Sequence, residues 1–207
     1  MNKKLLIIGA GGHGKVVADI ALKTDKYDEI CFLDDREEIK KCMQFDIVGK
    51  VKDVYNYLES ADIFVAIGNA EARKRVLEEL KISNAKIATL IHPNAIIGEN
   101  VIVGEGSVIM AGAVINPDAK IGKGCIINTS ASVDHDCKIF DYAHVSVDAH
   151  LAGNVSLGEN TWVGVGASII NNITVCEKVM IGAGAVVVKN INEPGTYVGV
   201  PARKMIK

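Results

Sequence analysis

Five histidines supply the acid–base chemistry open to this chain near neutral pH: His13, His92, His135, His144 and His150. Imidazole is the side chain whose ordinary pKa lies nearest that range. His135 stands between Asp134 and Asp136. A carboxylate beside an imidazole orients the ring and stabilises its protonated form, which raises its basicity. A general base that takes a proton from an attacking nucleophile needs that arrangement. The same Asp-His-Asp also suits a plain solvated turn, and the tripeptide alone leaves both readings open. His92 precedes Pro93 and reads as a turn residue, while His150 falls at an outward position of a short flat segment.

A second group has phosphate chemistry. The run KLLII (4–8) reads as a buried strand, KVVADIALKT as a helix, and Gly9-Ala10-Gly11-Gly12-His13-Gly14 lies between them. This is the G-x-G-x-x-G pattern, in which glycines admit a pyrophosphate to the backbone and the helix N-terminus attracts it. Further strands are expected at EICFL, ending in Asp34-Asp35, at DIFVAIG (62–68), ending in Gly68, and at KIATLI (86–91), with a helix over EARKRVLEEL. A parallel sheet built this way places Gly11, Gly12, His13, Asp34, Asp35 and Gly68 along one edge, where open α/β sheets bind ligands. The unit spans about 85 residues, half of a full dinucleotide domain. A mononucleotide or a nucleotide-sugar diphosphate fits it better than NAD.

The elements behind His135 follow a different rule. From His92 to Val187 the chain divides without interruption into sixteen six-residue pieces, HPNAII, GENVIV, GEGSVI and onward to GAGAVV. Each piece ends in Ile, Val or Leu and carries a small or β-branched residue at its fourth position, while Gly, Asn, Asp, Glu and Pro collect in the first three. A period of six cannot keep one face of an α-helix apolar, but two alternate residues of a short strand can. Three such strands joined by three turns make one coil of eighteen residues, the hexapeptide form of a parallel β-helix. Cys125 and Cys137 occupy fourth positions and are expected to point into the core.

Composition narrows the partners. The formal net charge of -2 gives no general attraction to nucleic acid or anionic lipid. No run approaches the ~20 apolar residues of a membrane span, so no membrane insertion is expected. The opening MNKKLLIIGAGGHG lacks the apolar length and cleavage site of a secretory signal. Five cysteines without a C-x-x-C pair suggest reduced thiols and a cytoplasmic location.

Both halves together resemble the PglD/NeuD-type bacterial sugar acetyltransferases, on GAGGHG (9–14), FLDD (32–35), AIGN (66–69), DHDC (134–137), HVSVDAHLAGNV (144–155) and GVPARK (199–204). The resemblance implies a Rossmann-like α/β domain over 1–85 that binds a nucleotide-sugar, then a left-handed parallel β-helix with a C-terminal tail over 86–207. It implies a homotrimer with acetyl-CoA between adjacent β-helices and no metal. It makes His135 the base with Asp136 beside it. It assigns acetyl-CoA contacts to His144, Val165 and Ala183, and nucleotide-sugar contacts to Gly11, Gly12, His13, Asp34, Asp35 and Gly68. His144 lies half a coil from His135, so one site using both would straddle two subunits, with a backbone N–H near His144 as oxyanion donor. Lys189, Arg203 and Lys204 are placed to meet CoA phosphates or to form an ordinary basic tail. The expected reaction is direct N-acetylation of a UDP-4-amino-sugar. Its rivals are O-acetylation of a sialic acid, a non-catalytic nucleotide-sugar-binding assembly protein, and a metal site drawn from His135, His144 and His150.

Overall fold

In the computed structural model of the protein, residues 3–206 are described. They form two compact units, divided at Pro93/Asn94.

The first unit is built on a parallel sheet. Strands β1 (Lys4–Ile8), β2 (Glu29–Leu33) and β5 (Asp62–Val65) hydrogen-bond in the order β2-β1-β5. Leu5 to Ile8 are fully buried, as a central strand covered on both faces must be. Helix α1 (Gly12–Thr24) follows β1, and α2 (Ala70–Ile82) follows β5. The tight strand-to-helix turn depends on Gly14, where a Cβ would lie 2.0 Å from the Gly9 carbonyl oxygen. Two features lie outside the sequence reading. Residues 41–49 form a hairpin, β3 (Lys41–Cys42) antiparallel to β4 (Phe45–Gly49), and β4 extends the sheet beside β2. A 3-10 helix then spans Val51–Tyr57. The segment read as a strand over 86–91 is split: Ile87 bridges Ile63 beside β5, and the regular strand is β6 (Leu90–Ile91). Residues 86–88 continue the sheet of the first unit, with Ala88 N–H donating to Ile63 O at 2.8 Å.

The second unit is the β-helix. Short strands, of two residues except the three of Val179–Ile181, recur at the fifth and sixth positions of every hexad and stack in parallel on three faces. Partners are eighteen residues apart, as in Val114, Ser132, His150, Ser168 and Val186 on one face. From Ile109 to Val187 the sixth-position side chains are at most 2% exposed, and from Ser107 to Ala185 the fourth-position side chains at most 7%. Each buried aliphatic contributes about 1.5–3 kcal/mol relative to exposure. Polar fourth positions are satisfied within the stack: Ser107 Oγ donates to Gly122 O at 2.8 Å and Thr161 Oγ1 to Cys176 O at 2.9 Å.

The turns obey one rule. From Asn100 to Gly184 the third residue of every hexad has a positive φ, between +55° and +76°. Gly, Asn and Asp adopt this left-handed conformation readily, whereas Tyr142 and Lys178 do so at a cost of roughly 1–2 kcal/mol. Asp136 is one of these third residues, with φ +60°. After the last hexad, Gly195–Val198 pairs in parallel with Val179–Ile181, and Arg203–Lys204 folds back antiparallel on it.

Candidate active site

His135 occupies the corner of the β-helix between strands Ser132–Val133 and Lys138–Ile139. Its Nδ1 lies 2.7 Å from Asp136 Oδ2. A carboxylate only accepts hydrogen bonds, so Nδ1 carries the proton and Nε2 keeps the basic lone pair. The hydrogen bond to Asp136, reinforced by the charges of Asp134 and Asp136, raises the His135 pKa above its usual value. Asp134 is held below the usual carboxylate range by the amide of Asn116, at 2.7 Å, and by the His135 N–H, at 2.8 Å. The corner opens on a shallow groove of about 850 Å³ lined by Asp118, Lys120, His135, Asp136, Lys138 and Asn154, among others. The His135 side chain is 58% exposed there, accessible to an incoming substrate.

His144, Val165 and Ala183 gather elsewhere. Val165 and Ala183 are exposed and sit one coil apart in the corner between Trp162–Val163 and Ser168–Ile169, tied by Gly184 N–H donating to Val165 O at 2.8 Å. His144 lies on the face leading into that corner, 8% exposed. Its ring stacks on Trp162 at 4.6 Å between centroids, and its Nε2 is 3.1 Å from Asn128 Nδ2. The corner of His135 and the corner of Val165 are therefore different corners of one column, as the half-coil spacing requires. His150 lies on the face between those two corners, its Nδ1 2.9 Å from Ser132 Oγ. Among the described residues no group of three or more His, Cys, Asp or Glu side chains could hold a metal ion. Cys125 and Cys137 are fully buried, and burial raises the Cys137 thiol. His92 is buried as well. Of the basic tail residues, Lys189 and Arg203 are exposed, and Lys204 pairs with Glu193 at 2.8 Å.

In the first unit the glycine loop, Asp34-Asp35 and Gly68 follow the carboxyl ends of β1, β2 and β5. Asp34 Oδ2 accepts from the Ala10 N–H of the glycine loop at 2.8 Å, and both its oxygens bind the Arg36 guanidinium at 2.8 Å. Arg36 holds the Asp34 carboxyl far below its usual range. Asp35 accepts from Val51 N–H at 3.0 Å. Hollows of about 290 and 450 Å³ flank Asp34 and Asp35. On the other side of β1, the carbonyls of Ile67 and Gly68 accept from Arg73 Nη1 at 2.8 and 2.9 Å. Burial and the Arg73 charge push the His13 pKa down to about 4, and its buried Nε2 has no hydrogen-bond partner among the described residues. Gly11, Gly12 and Gly68 have open space where a side chain would stand. A neutral donor-acceptor ring, bare glycines and a helix N-terminus make a cradle suited to a phosphate or ribose.

Residues 4–80 match the family profile of the PglD N-terminal domain, and residues 100–135 that of the bacterial transferase hexapeptide repeat. The acetyltransferase domain of PglB from Neisseria gonorrhoeae superposes with a TM-score of 0.95, at 42% identity over 99% of this chain and 100% of that one, and is known also in complex with acetyl coenzyme A. The chain belongs to the PglD/NeuD-type family of hexapeptide-repeat sugar acetyltransferases. A histidine variant of perosamine N-acetyltransferase from Caulobacter crescentus, solved with CoA and GDP-perosamine, shares this fold at 33% identity over 99% of this chain and 97% of that one, with a TM-score of 0.94. UDP-N-acetylbacillosamine N-acetyltransferase of Bacillus subtilis is 38% identical over 112 residues, 53% of this chain and 52% of that protein. The chain spans about half the length of the curated relatives it matches. Membership fixes the α/β unit and the left-handed β-helix as the family's two parts.

The sequence reading passed over Asn116, Asn128, Trp162 and Arg73. Two of them carry a signal in the repeat, since residues eighteen apart stack. Asn116 lies one coil from Asp134, and Trp162 one coil from His144. Asn128 is two residues short of that spacing from His144 but opens the turn beside it. Arg73 carries no signal, being one cation in a charged helix.

Proposed function

We propose that this protein transfers the acetyl group of acetyl-CoA directly to the amine of a nucleotide-linked amino-sugar, with His135 as general base. One observation carries the reading: an accessible imidazole whose Nδ1 is tied to Asp136 at 2.7 Å, leaving Nε2 to take a proton. The amine nitrogen attacks the thioester carbonyl while Nε2 removes its proton. The tetrahedral oxyanion collapses, the C–S bond breaks, and the CoA sulfur leaves with a proton as the amide remains. Asp136 stabilises the imidazolium that forms in between.

Two kinds of support bear on the acceptor. Relatives named for their reactions are N-acetyltransferases of UDP- and GDP-linked sugars, which favours nitrogen over a sialic acid hydroxyl. The cradle at Gly11, Gly12, His13 and Gly68, with Asp34 and Asp35 beside it, suits the nucleotide diphosphate. His144, Val165 and Ala183 are assigned to acetyl-CoA. Since their corner is not that of His135, the working site is formed between subunits of a homotrimer, and an isolated subunit is inactive. The five free thiols support a cytoplasmic location.

The test is acetyl transfer from acetyl-CoA to a panel of UDP- and GDP-linked 4-amino-sugars and to sialic acid, followed by thiol release and product mass. Acetylation of a nucleotide-sugar amine is expected, with His135→Ala slower by roughly 10²–10⁴-fold. Undiminished turnover of His135→Ala refutes the base, acetylation of sialic acid alone refutes the acceptor, and thiol release from none of them leaves a binding protein. An active monomer in sedimentation refutes the shared site.

A further inference from the structure

Sixteen hexads have sixteen second positions, and one of them is glycine: Gly153. The backbone does not ask for it. Left-handed φ values fall on third positions, here on Asn154, and Gly153 is not among the residues with positive φ. Along its own corner the other second positions, Glu99, Pro117, His135 and Asn171, all carry side chains. A turn of this shape therefore accepts a Cβ, and glycine at 153 needs another cause.

The cause is the imidazole one coil away. Asn154 N–H donates to the His135 carbonyl at 2.9 Å, so the two turns are stacked. A Cβ on Gly153 would stand 2.5 Å from His135 Nε2, 2.6 Å from Cε1 and 3.2 Å from Cδ2. Carbon does not approach ring atoms so closely, and the ring at the end of a two-torsion side chain is the part that yields. The atom pressed hardest is Nε2, the nitrogen that Asp136 leaves free by engaging Nδ1 at 2.7 Å.

We infer that Gly153 is a positioning residue for the base: its missing side chain is the space in which the His135 ring lies while it holds its hydrogen bond to Asp136. A methyl group at 153 turns the ring off Asp136 and covers Nε2, with the rest of the coil undisturbed. The kinetic consequence rests on His135 being the base, as proposed above. The placement of the ring does not.

The experiment uses the full chain with Gly153→Ala, His135→Ala and the double variant. The first readout is the titration of the His135 ring by NMR, which needs no substrate. In the wild type its pKa stands above that of an ordinary histidine, and in Gly153→Ala it falls towards the value in Asp136→Asn. The second readout is turnover: kcat of Gly153→Ala drops on the order of 10²-fold, the loss typical of a reacting group displaced by about an ångström, with KM changed by less than about threefold. The third is a double-mutant cycle, in which adding Gly153→Ala to His135→Ala changes neither kcat nor melting temperature, because the obstructed ring is gone. An unchanged His135 titration in Gly153→Ala overturns the inference, and so does a further fall in kcat or melting temperature in the double variant. If His135→Ala turns over normally while the titration still moves, the base assignment fails and the positioning stands.

Discussion

The amide of Asn116 donates to Asp134 Oδ1 at 2.7 Å, and the same oxygen accepts the main-chain N–H of His135 at 2.8 Å. Asn116 and Asp134 are one coil apart, so this oxygen ties the turn carrying the base to a neighbouring turn, alongside the Asp136 N–H donating to Pro117 O at 3.2 Å. In Asn116→Ala that oxygen keeps only the His135 N–H. A hydrogen bond to a charged group contributes about 1.5–3 kcal/mol at most, and less at an exposed corner. The expected result is a turnover lower by a few-fold with an unchanged melting temperature. Asn116→Asp is expected to be worse, since two carboxylates then face each other. Steady-state kinetics of the two variants at pH 7 check this, and equal activity of Asn116→Asp and wild type refutes it.

The pH profile reports on Asp136. His135 acts as a base only when neutral, and its hydrogen bond to Asp136 is the largest cause raising its pKa. The acidic limb of kcat/KM in the wild type is therefore expected above the ordinary histidine value of about 6.5. In Asp136→Asn the ring loses its proton more easily, so the limb moves to lower pH. The plateau also falls, because a weaker base takes the amine proton less well. A limb that stays in place shows that Asp136 does not set the basicity of His135.

Direct transfer and a covalent acetyl-cysteine differ at Cys137. Its sulfur is fully buried, lies 3.2 Å from Ala152 O, and is pushed up in pKa by burial. A thiol in that setting is a poor nucleophile. Cys137→Ala is expected to keep turnover within about threefold, at a small loss of stability from the cavity, on the order of 1 kcal/mol. Mass spectrometry of the wild type with acetyl-CoA alone is expected to show no acetylated protein, and a stable acetyl adduct would refute direct transfer.

His13 links stability to pH in the first unit. Its folded pKa is lowered to about 4 by burial and by Arg73, against about 6.5 in an unfolded chain. Between those values the unfolded chain binds a proton that the folded one does not, so the contribution of neutral His13 is complete above pH 6.5 and is lost as pH falls towards 4. At pH 4 the loss is on the order of a few kcal/mol. Melting of the first unit's transition, followed for wild type and His13→Asn from pH 4 to 7, is expected to converge as the pH falls. Parallel curves would show that His13 titrates alike in both states.

Much of this geometry could be read from the sequence because the β-helix repeats itself. The aliphatic sixth positions announced the inward residues, and Cys125 and Cys137 took their places in the core by register alone. The same register separates the corner of His135 from that of Val165. What it hid lies where pairing is not periodic. The β3–β4 hairpin turns at Met43, with φ +55°, rather than at a glycine or asparagine, so no turn signal marked it. Arg73, 1% exposed and bonded to the Ile67 and Gly68 carbonyls, looks in sequence like any cation of a solvated helix. The lowered pKa of His13 comes first from its burial and then from that arginine sixty residues away, and neither shows in the sequence. Even within the repeat, the spacing that pairs Gly153 with His135 becomes visible only when coils are read across rather than along.

The assignment of acetyl-CoA to the corner of Val165 and Ala183 can be tested without touching His135. Both side chains are exposed, and the stacked turns beneath them are held by main-chain bonds such as Gly166 N–H to Val147 O at 3.0 Å. Gly164, whose Cβ would meet the Ile181 oxygen at 2.6 Å and the Ala183 nitrogen at 2.7 Å, fixes the close approach of those two coils. A bulky residue at 183 therefore projects outward and leaves the stack intact, since surface substitutions away from buried contacts change stability by about 0.5 kcal/mol or less. Ala183→Trp is expected to raise KM for acetyl-CoA at least about tenfold, by obstructing a ligand along that corner, while KM for the nucleotide-sugar and the melting temperature hold. In the homotrimer proposed here the same side chain would also stand near a neighbouring subunit, so sedimentation must show the assembly unchanged for the kinetic effect to count. Unaltered KM for acetyl-CoA in an intact assembly would move the thioester to another corner, and the groove beside His135, lined by Lys120 and Lys138, would then be the place to look.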